Sequence, residues 1–175
     1  MMGITSKCLV SSLALISSFT LAADCDEHMK KTAPDSRYEI VSDSNGREVL
    51  DKWTKLVWQR CALGQEWSAE KNSCEGDAKN AEWANSMLAA TKLGNGYRMP
   101  NIKELQSLIE ESCTGLAINE NFFPNAGGRY WSSTALANQY NDTDRAWIVS
   151  FDDGDSTAYQ SQGIAPYVRA VRSIQ

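Results

Sequence analysis

Apolar and polar residues alternate in short runs through most of this chain, and switch to a three-to-four-residue spacing only in its middle. Tyr38-Glu39-Ile40-Val41, Glu48-Val49-Leu50-Asp51 and Leu56-Val57-Trp58-Gln59-Arg60 read as short strands parted by Ser-Asn-Gly and Asp-Lys-Trp-Thr turns. From Asp77 to Leu93 the residues Ala81, Ala84, Leu88 and Thr91 recur at helical spacing, and Gly94-Asn95-Gly96 stops the run. A second helix follows, opened by a capping box of Asn101 and Glu104, with Ile102, Leu105, Leu108 and Ile109 as its buried stripe up to Cys113. Tyr130–Thr134, Ala146–Phe151, Ser156–Gln160 and Tyr167–Arg172 then have the length and alternation of strands, with Asp152-Asp153-Gly154-Asp155 as a tight turn. Strands bracketing two helices predict an α+β domain of antiparallel strands, with both helices on one side of the sheet.

The start of the chain has another purpose. Lys7, a Ser-interrupted apolar run from Leu9 to Leu21 and the small residues before Asp24 form a Sec signal peptide over residues 1–23. A lipoprotein anchor is disfavoured because Asp24, and not a small residue, precedes Cys25. No later run reaches the roughly 18 apolar residues of a membrane span. Cleavage leaves a polar arm over residues 24–37 and a domain over 38–175. Loss of Lys7 takes the formal charge from −5 to −6. That acidity disfavours nucleic acid, whose phosphates demand clustered Lys and Arg.

Export also decides the cysteine chemistry. Cys25, Cys61, Cys74 and Cys113 remain after cleavage, an even number bound for an oxidising compartment. Three connectivities exist; the short loop between Cys61 and Cys74 favours that pair, and Cys25 to Cys113 follows, tying the arm to the end of the second helix. Zinc is disfavoured, since there is no CxxC and only one histidine, His28.

The ordered series Thr54–Cys61, Tyr97–Leu105, Tyr130–Ser133, Ala146–Phe151 and Val168–Arg172 resembles the DUF1566 family, the domain at the C-terminus of the Legionella collagen-like adhesin. The match runs from about Glu48 to Arg172. The resemblance implies a C-type-lectin-like fold, distantly related to formylglycine-generating enzymes, on exported bacterial proteins, and a lectin-like role such as the adhesin's binding of sulfated host polysaccharides. The mature charge of −6 argues against a sulfated polyanion here. The copper chemistry of the formylglycine-generating relatives does not transfer, because the four thiols are accounted for as structural bridges.

Residue by residue, the chain reads as a binding domain and not an enzyme. His28 lies in the arm, away from any triad. Glu104 completes a helix cap, and Glu110 and Glu111 read as solvated. Trp58, Trp131 and Trp147 read as core, and Arg98, Arg169 and Arg172 as partners of neighbouring carboxylates. Asn138, Tyr140, Asn141, Asp142, Asp144, Tyr159 and Gln160 are the candidate ligand residues: planar rings and amides in the late loops, beside Tyr167, where C-type-lectin-like domains carry variable contacts. Asp142, Asp144, Asp152, Asp153 and Asp155 are weak calcium candidates, and no other cofactor is implied. The expected partner is a glycan or a cell-surface or envelope protein, met in the periplasm or outside the cell. The alternatives are an assembly subunit of an envelope or pilus complex, and an enzyme with an unrecognised site.

Overall fold

The computed structural model describes residues 23–137, 145–159 and 165–174. The proposed signal segment lies outside them, apart from Ala23. Among these residues eleven strands and two short α-helices make a mixed α+β body of antiparallel sheets: β1 (Asp24–Cys25), β2 (Tyr38–Ile40), β3 (Glu48–Asp51), β4 (Leu56–Gln59), β5 (Glu66–Ser68), β6 (Ser73–Glu75), α1 (Trp83–Thr91), α2 (Ile102–Gln106), β7 (Cys113–Thr114), β8 (Arg129–Ala135), β9 (Ala146–Ser150), β10 (Ser156–Ala158) and β11 (Val171–Ser173). One sheet runs β11-β4-β3-β2 and another β10-β9-β8; β1 pairs with β7 and β5 with β6. No helix among the described residues is long and apolar enough to cross a membrane.

The two helices do not share a side. Along β8, Tyr130 packs in one apolar cluster with Trp58, Leu105, Phe123 and Phe151, while Trp131 packs in a second with Ala90, Ile148, Tyr159 and Val168. Successive strand residues face opposite ways. The β8–β9 sheet is therefore buried on both faces, with Leu105 of α2 against one and Ala90 of α1 against the other. The expectation of helices on one side fails because Tyr130-Trp131 and Ile148-Val149 are apolar pairs that demand cover on both faces.

Both helices are shorter than their apolar spacing suggests. Residues 77–82 stay outside the helix because their backbone is used elsewhere: Lys79 N–H donates to Leu63 O (2.8 Å), and Ala81 O accepts from the Trp131 indole (3.0 Å). The capping box of Asn101 and Glu104 opens α2 as read. The helix ends by Ser107, whose carbonyl accepts from Arg37 Nη1 (2.7 Å), while Ile109 O accepts from the Thr32 hydroxyl (2.9 Å). Cys113 thus sits on a two-residue strand opposite Cys25, and not on a helix end. The loop closed by Cys61 and Cys74 contains the β5–β6 hairpin. The final strand is shorter than read: residues 167–170 cross between the two larger sheets, with Tyr167 O accepting from Trp131 N–H and Ala170 O from Gln59 N–H.

Buried charge fastens these pieces. Arg37 and Asp51 form a fully buried ion pair, with Arg37 Nε 2.8 Å from Asp51 Oδ1. Glu110, read as solvated, is buried instead: it accepts from the backbone N–H groups of Thr32, Ala33 and Ser112 and from the Ser112 hydroxyl, and so pins the arm. Burial alone would raise both carboxyls. For Asp51 the bonds from Arg37 and Thr54, and for Glu110 those from Ser112, Thr32 and Ala33, outweigh it and hold each below its ordinary value. Arg98 pairs with Glu104 and Arg172 with Glu48, each at 2.7 Å. Both disulfides are present, Cys25–Cys113 and Cys61–Cys74.

Depressed native carboxyls contribute stability above the unfolded value, near pH 4, that is lost as pH falls through the lowered native values. Urea midpoints should therefore hold from neutral pH to about 5 and fall below about 4; Glu110→Gln should flatten that fall, and an unchanged profile would count against the buried role. Asp51→Ala, which strands Arg37, should cost about 3–5 kcal/mol by urea unfolding. Peptide mapping without reduction should recover the two bridged pairs, and Cys25→Ser with Cys113→Ser should cost about 2–5 kcal/mol.

Candidate ligand-binding cleft

A cleft of about 320 Å³ opens where the β3–β4 hairpin meets the disulfide-closed loop. That volume is at the lower end of small-molecule sites, about 300–1,000 Å³. Gln59 at the end of β4, the turn from Cys61 to Gln65, Glu66 and Trp67 of β5, Arg47 from the β2–β3 turn and Leu93 past α1 line it. Gln65 shapes the wall, since its Oε1 accepts from Ala62 N–H (3.2 Å) and its Nε2 donates to Gly76 O (3.4 Å). Among the described residues, Arg47 and Glu66 make no side-chain hydrogen bond or ion pair, and both are exposed at the rim. Trp67 Nε1 is buried with no partner among the described residues.

Two buried cations stand behind this wall. The Arg60 guanidinium lies 3.7 Å from the Trp67 ring centroid and donates to the carbonyls of Phe122 (2.9 Å), Gly46 (3.2 Å) and Asn121 (2.9 Å). Arg169 donates to the carbonyls of Gln59 and Arg60 and to the Tyr130 hydroxyl (3.4 Å), with the Phe123 and Tyr130 rings about it. Contrary to the expectation for Arg169, it meets no carboxylate among the described residues. Burial and then the charge of Arg169 lower Arg60 to about 10, and burial lowers Arg169 as well. A guanidinium keeps its proton in proteins at neutral pH, so two cations stand behind Trp67 in a chain that is acidic overall.

The other candidates are placed as follows. Asn138, Tyr140, Asn141, Asp142, Asp144 and Gln160 lie outside the described residues. Tyr159 is buried, its ring 4.6 Å from that of Trp131, so it fills core and offers no open face. Asp152 Oδ1 accepts from Gly128 N–H (2.7 Å) and Asp153 Oδ1 from Asp155 N–H (3.1 Å), which build the turn. Among the described residues no three His, Cys, Asp or Glu side chains gather as a metal site would require. His28 is exposed in the arm, and Trp58 and Trp131 are buried, while Trp147 is half-buried. The sequence reading missed the cleft. Its signal was Trp67, a tryptophan in a polar, Gly- and Ser-containing loop where no strand was expected.

Gly46 sets how deep that tryptophan sits. Its φ is +77°, and a Cβ there would lie 2.8 Å from Trp67 Nε1. Gly46→Ala should push the indole outward, costing about 1–3 kcal/mol and changing the near-ultraviolet circular dichroism. An unaltered spectrum and stability would contradict this packing.

A family model described as the Lcl C-terminal domain matches residues 47–172, which takes in β3 through most of β11 and every residue of the cleft. No curated protein and no solved structure matches the chain. The match spans well over half of the sequence, so the chain belongs to the Lcl C-terminal domain family.

Proposed function

We propose that this is the recognition domain of an exported, surface-associated protein, and that it binds a glycan without catalysis. The observation that carries the reading is the composition of the cleft: Arg47 and Glu66 without side-chain partners among the described residues, the Gln59 amide and an indole, interleaved with Leu63 and Leu93. A sugar hydroxyl both donates and accepts, so a cation, a carboxylate and an amide together suit neighbouring hydroxyls, while C–H faces meet the apolar wall. Membership of the Lcl C-terminal family supports a surface-associated, adhesin-like role. The two bridges fit passage through an oxidising compartment. In the same reading residues 1–23 direct export through Sec, the body is C-type-lectin-like, and Asn138, Tyr140, Asn141 and Gln160 supply further contacts.

One observation favours the second reading, an envelope or pilus assembly subunit. An apolar groove lined by Met87, Leu88, Thr91, Arg98, Met99 and Ser133 runs beside α1, and Leu88 is more than half exposed. The mature domain on a glycan array, run with calcium and with chelator, separates the two. Specific signals should appear, and Gln59→Ala with Glu66→Ala should weaken them about tenfold, some 1.4 kcal/mol. Tyr140→Ala with Asn141→Ala reports on the late loops. A blank array together with self-association lost in Leu88→Glu would favour assembly instead.

A further inference from the structure

The β3–β4 hairpin carries the cleft at one end and a different surface at the other. Its closing turn, Lys52-Trp53-Thr54-Lys55, holds the most exposed large apolar side chain among the described residues: Trp53 is 58% exposed. A turn is ordinarily the loosest part of a hairpin, yet every backbone N–H here is bonded. Lys52 N–H donates to Arg37 O (2.9 Å), and those of Trp53 (3.0 Å) and Thr54 (3.4 Å) donate to Asp51 Oδ1. Lys55 N–H donates to Asp51 O (2.9 Å), with Lys55 left-handed at φ 60°. The Thr54 hydroxyl adds a 2.6 Å bond to Asp51 Oδ2. Asp51 is itself locked to Arg37, whose guanidinium lies 5.1 Å from the Trp53 ring.

Apart from its contact with Arg37 the indole is largely open to solvent, and the folded chain already bears the ordering cost that a loose aromatic would meet on binding. An exposed, fixed indole flanked by two ammonium-bearing side chains matches one ligand chemistry well. The electron-rich ring face meets polarised C–H groups, and lysines donate to oxygens at the ring edge. We propose that the Trp53 turn is a second sugar-binding platform: a pyranose stacks on the indole while Lys52 and Lys55 donate to its hydroxyl or carboxylate oxygens. The inference rests on the glycan reading above and goes beyond it. Strands of four residues set the platform about 13 Å from the cleft end of the hairpin, so one polysaccharide chain engages both sites and gains affinity through effective concentration.

The test compares immobilised polysaccharides, dextran as the neutral arm and polygalacturonate as the acidic arm, with their soluble disaccharides, which reach one site at a time. Trp53→Ala should weaken binding of the polysaccharide at least tenfold and leave the disaccharide's affinity for the cleft within about twofold, and Trp53→Tyr should restore most of the loss. Lys52→Gln with Lys55→Gln should weaken the acidic arm more than the neutral one if a carboxylate is read, and both alike if hydroxyls are. Polysaccharide binding unchanged in Trp53→Ala overturns the platform and leaves the glycan reading standing. Absence of binding by the wild-type domain to either polysaccharide, with a blank glycan array, overturns both. An unchanged urea midpoint shows that Trp53→Ala is folded, and the Tyr variant serves where it is not.

Discussion

A cation buried away from carboxylates must be solvated by the chain itself, and the architecture here turns on that requirement at Arg169. The guanidinium is fully buried, and its donors reach the carbonyls of Gln59 and Arg60 and the hydroxyl of Tyr130. Those groups belong to the end of β4 and to β8, so the bonds of its Nη1 and Nη2 join the two larger sheets, while its buried Nε has no partner among the described residues. Removal would leave carbonyls without partners as well as a void, the costly side of hydrogen-bond energetics. Arg60 repeats the device one residue on, tying the β2–β3 turn to residues 121 and 122 and backing Trp67.

The cleft inherits its shape from this arrangement. Gly46 lets Trp67 sink against the turn, Arg60 fixes the plane of the ring, and the Cys61–Cys74 bridge holds the β5–β6 hairpin close to β4. At the rim Arg47 and Glu66 are exposed and, among the described residues, make no side-chain hydrogen bond or ion pair. The division is physical. Buried charge in this domain is spent on the fold, as in Arg37–Asp51 and in Glu110 with the arm, whereas the side chains available for a partner are exposed and flank aromatic surface.

Much of the fold was legible in the sequence because its signals were local. The Asn101 and Glu104 cap, the alternation of β3, β4, β8 and β9 and the turn at Gly154 each depend on a few neighbouring residues, and each stands where it was read. What the sequence concealed depends on distant partners. Helix α2 ends early because Arg37 and Thr32, some 70 residues away, take its carbonyls. Glu110 looks like any polar helix residue until the arm folds onto it. Arg169 looked like half of an ion pair, yet its partners are carbonyls, which carry no sequence signature. The candidate site was legible least of all: of the seven candidate ligand residues only Tyr159 is described, and it is core, while Trp67 and Trp53 came from a loop and a turn that periodicity does not read.

The central claim is that a sugar enters the cleft beside Trp67. Side-chain resonances of the ¹⁵N-labelled mature domain, followed while a glycan selected on the array is titrated in, test it most directly. The indole N–H of Trp67 and the Gln59 amide should shift progressively, with those of buried Trp58 and Trp131 unmoved. Saturable binding that leaves Trp67 and Gln59 unshifted would contradict the account.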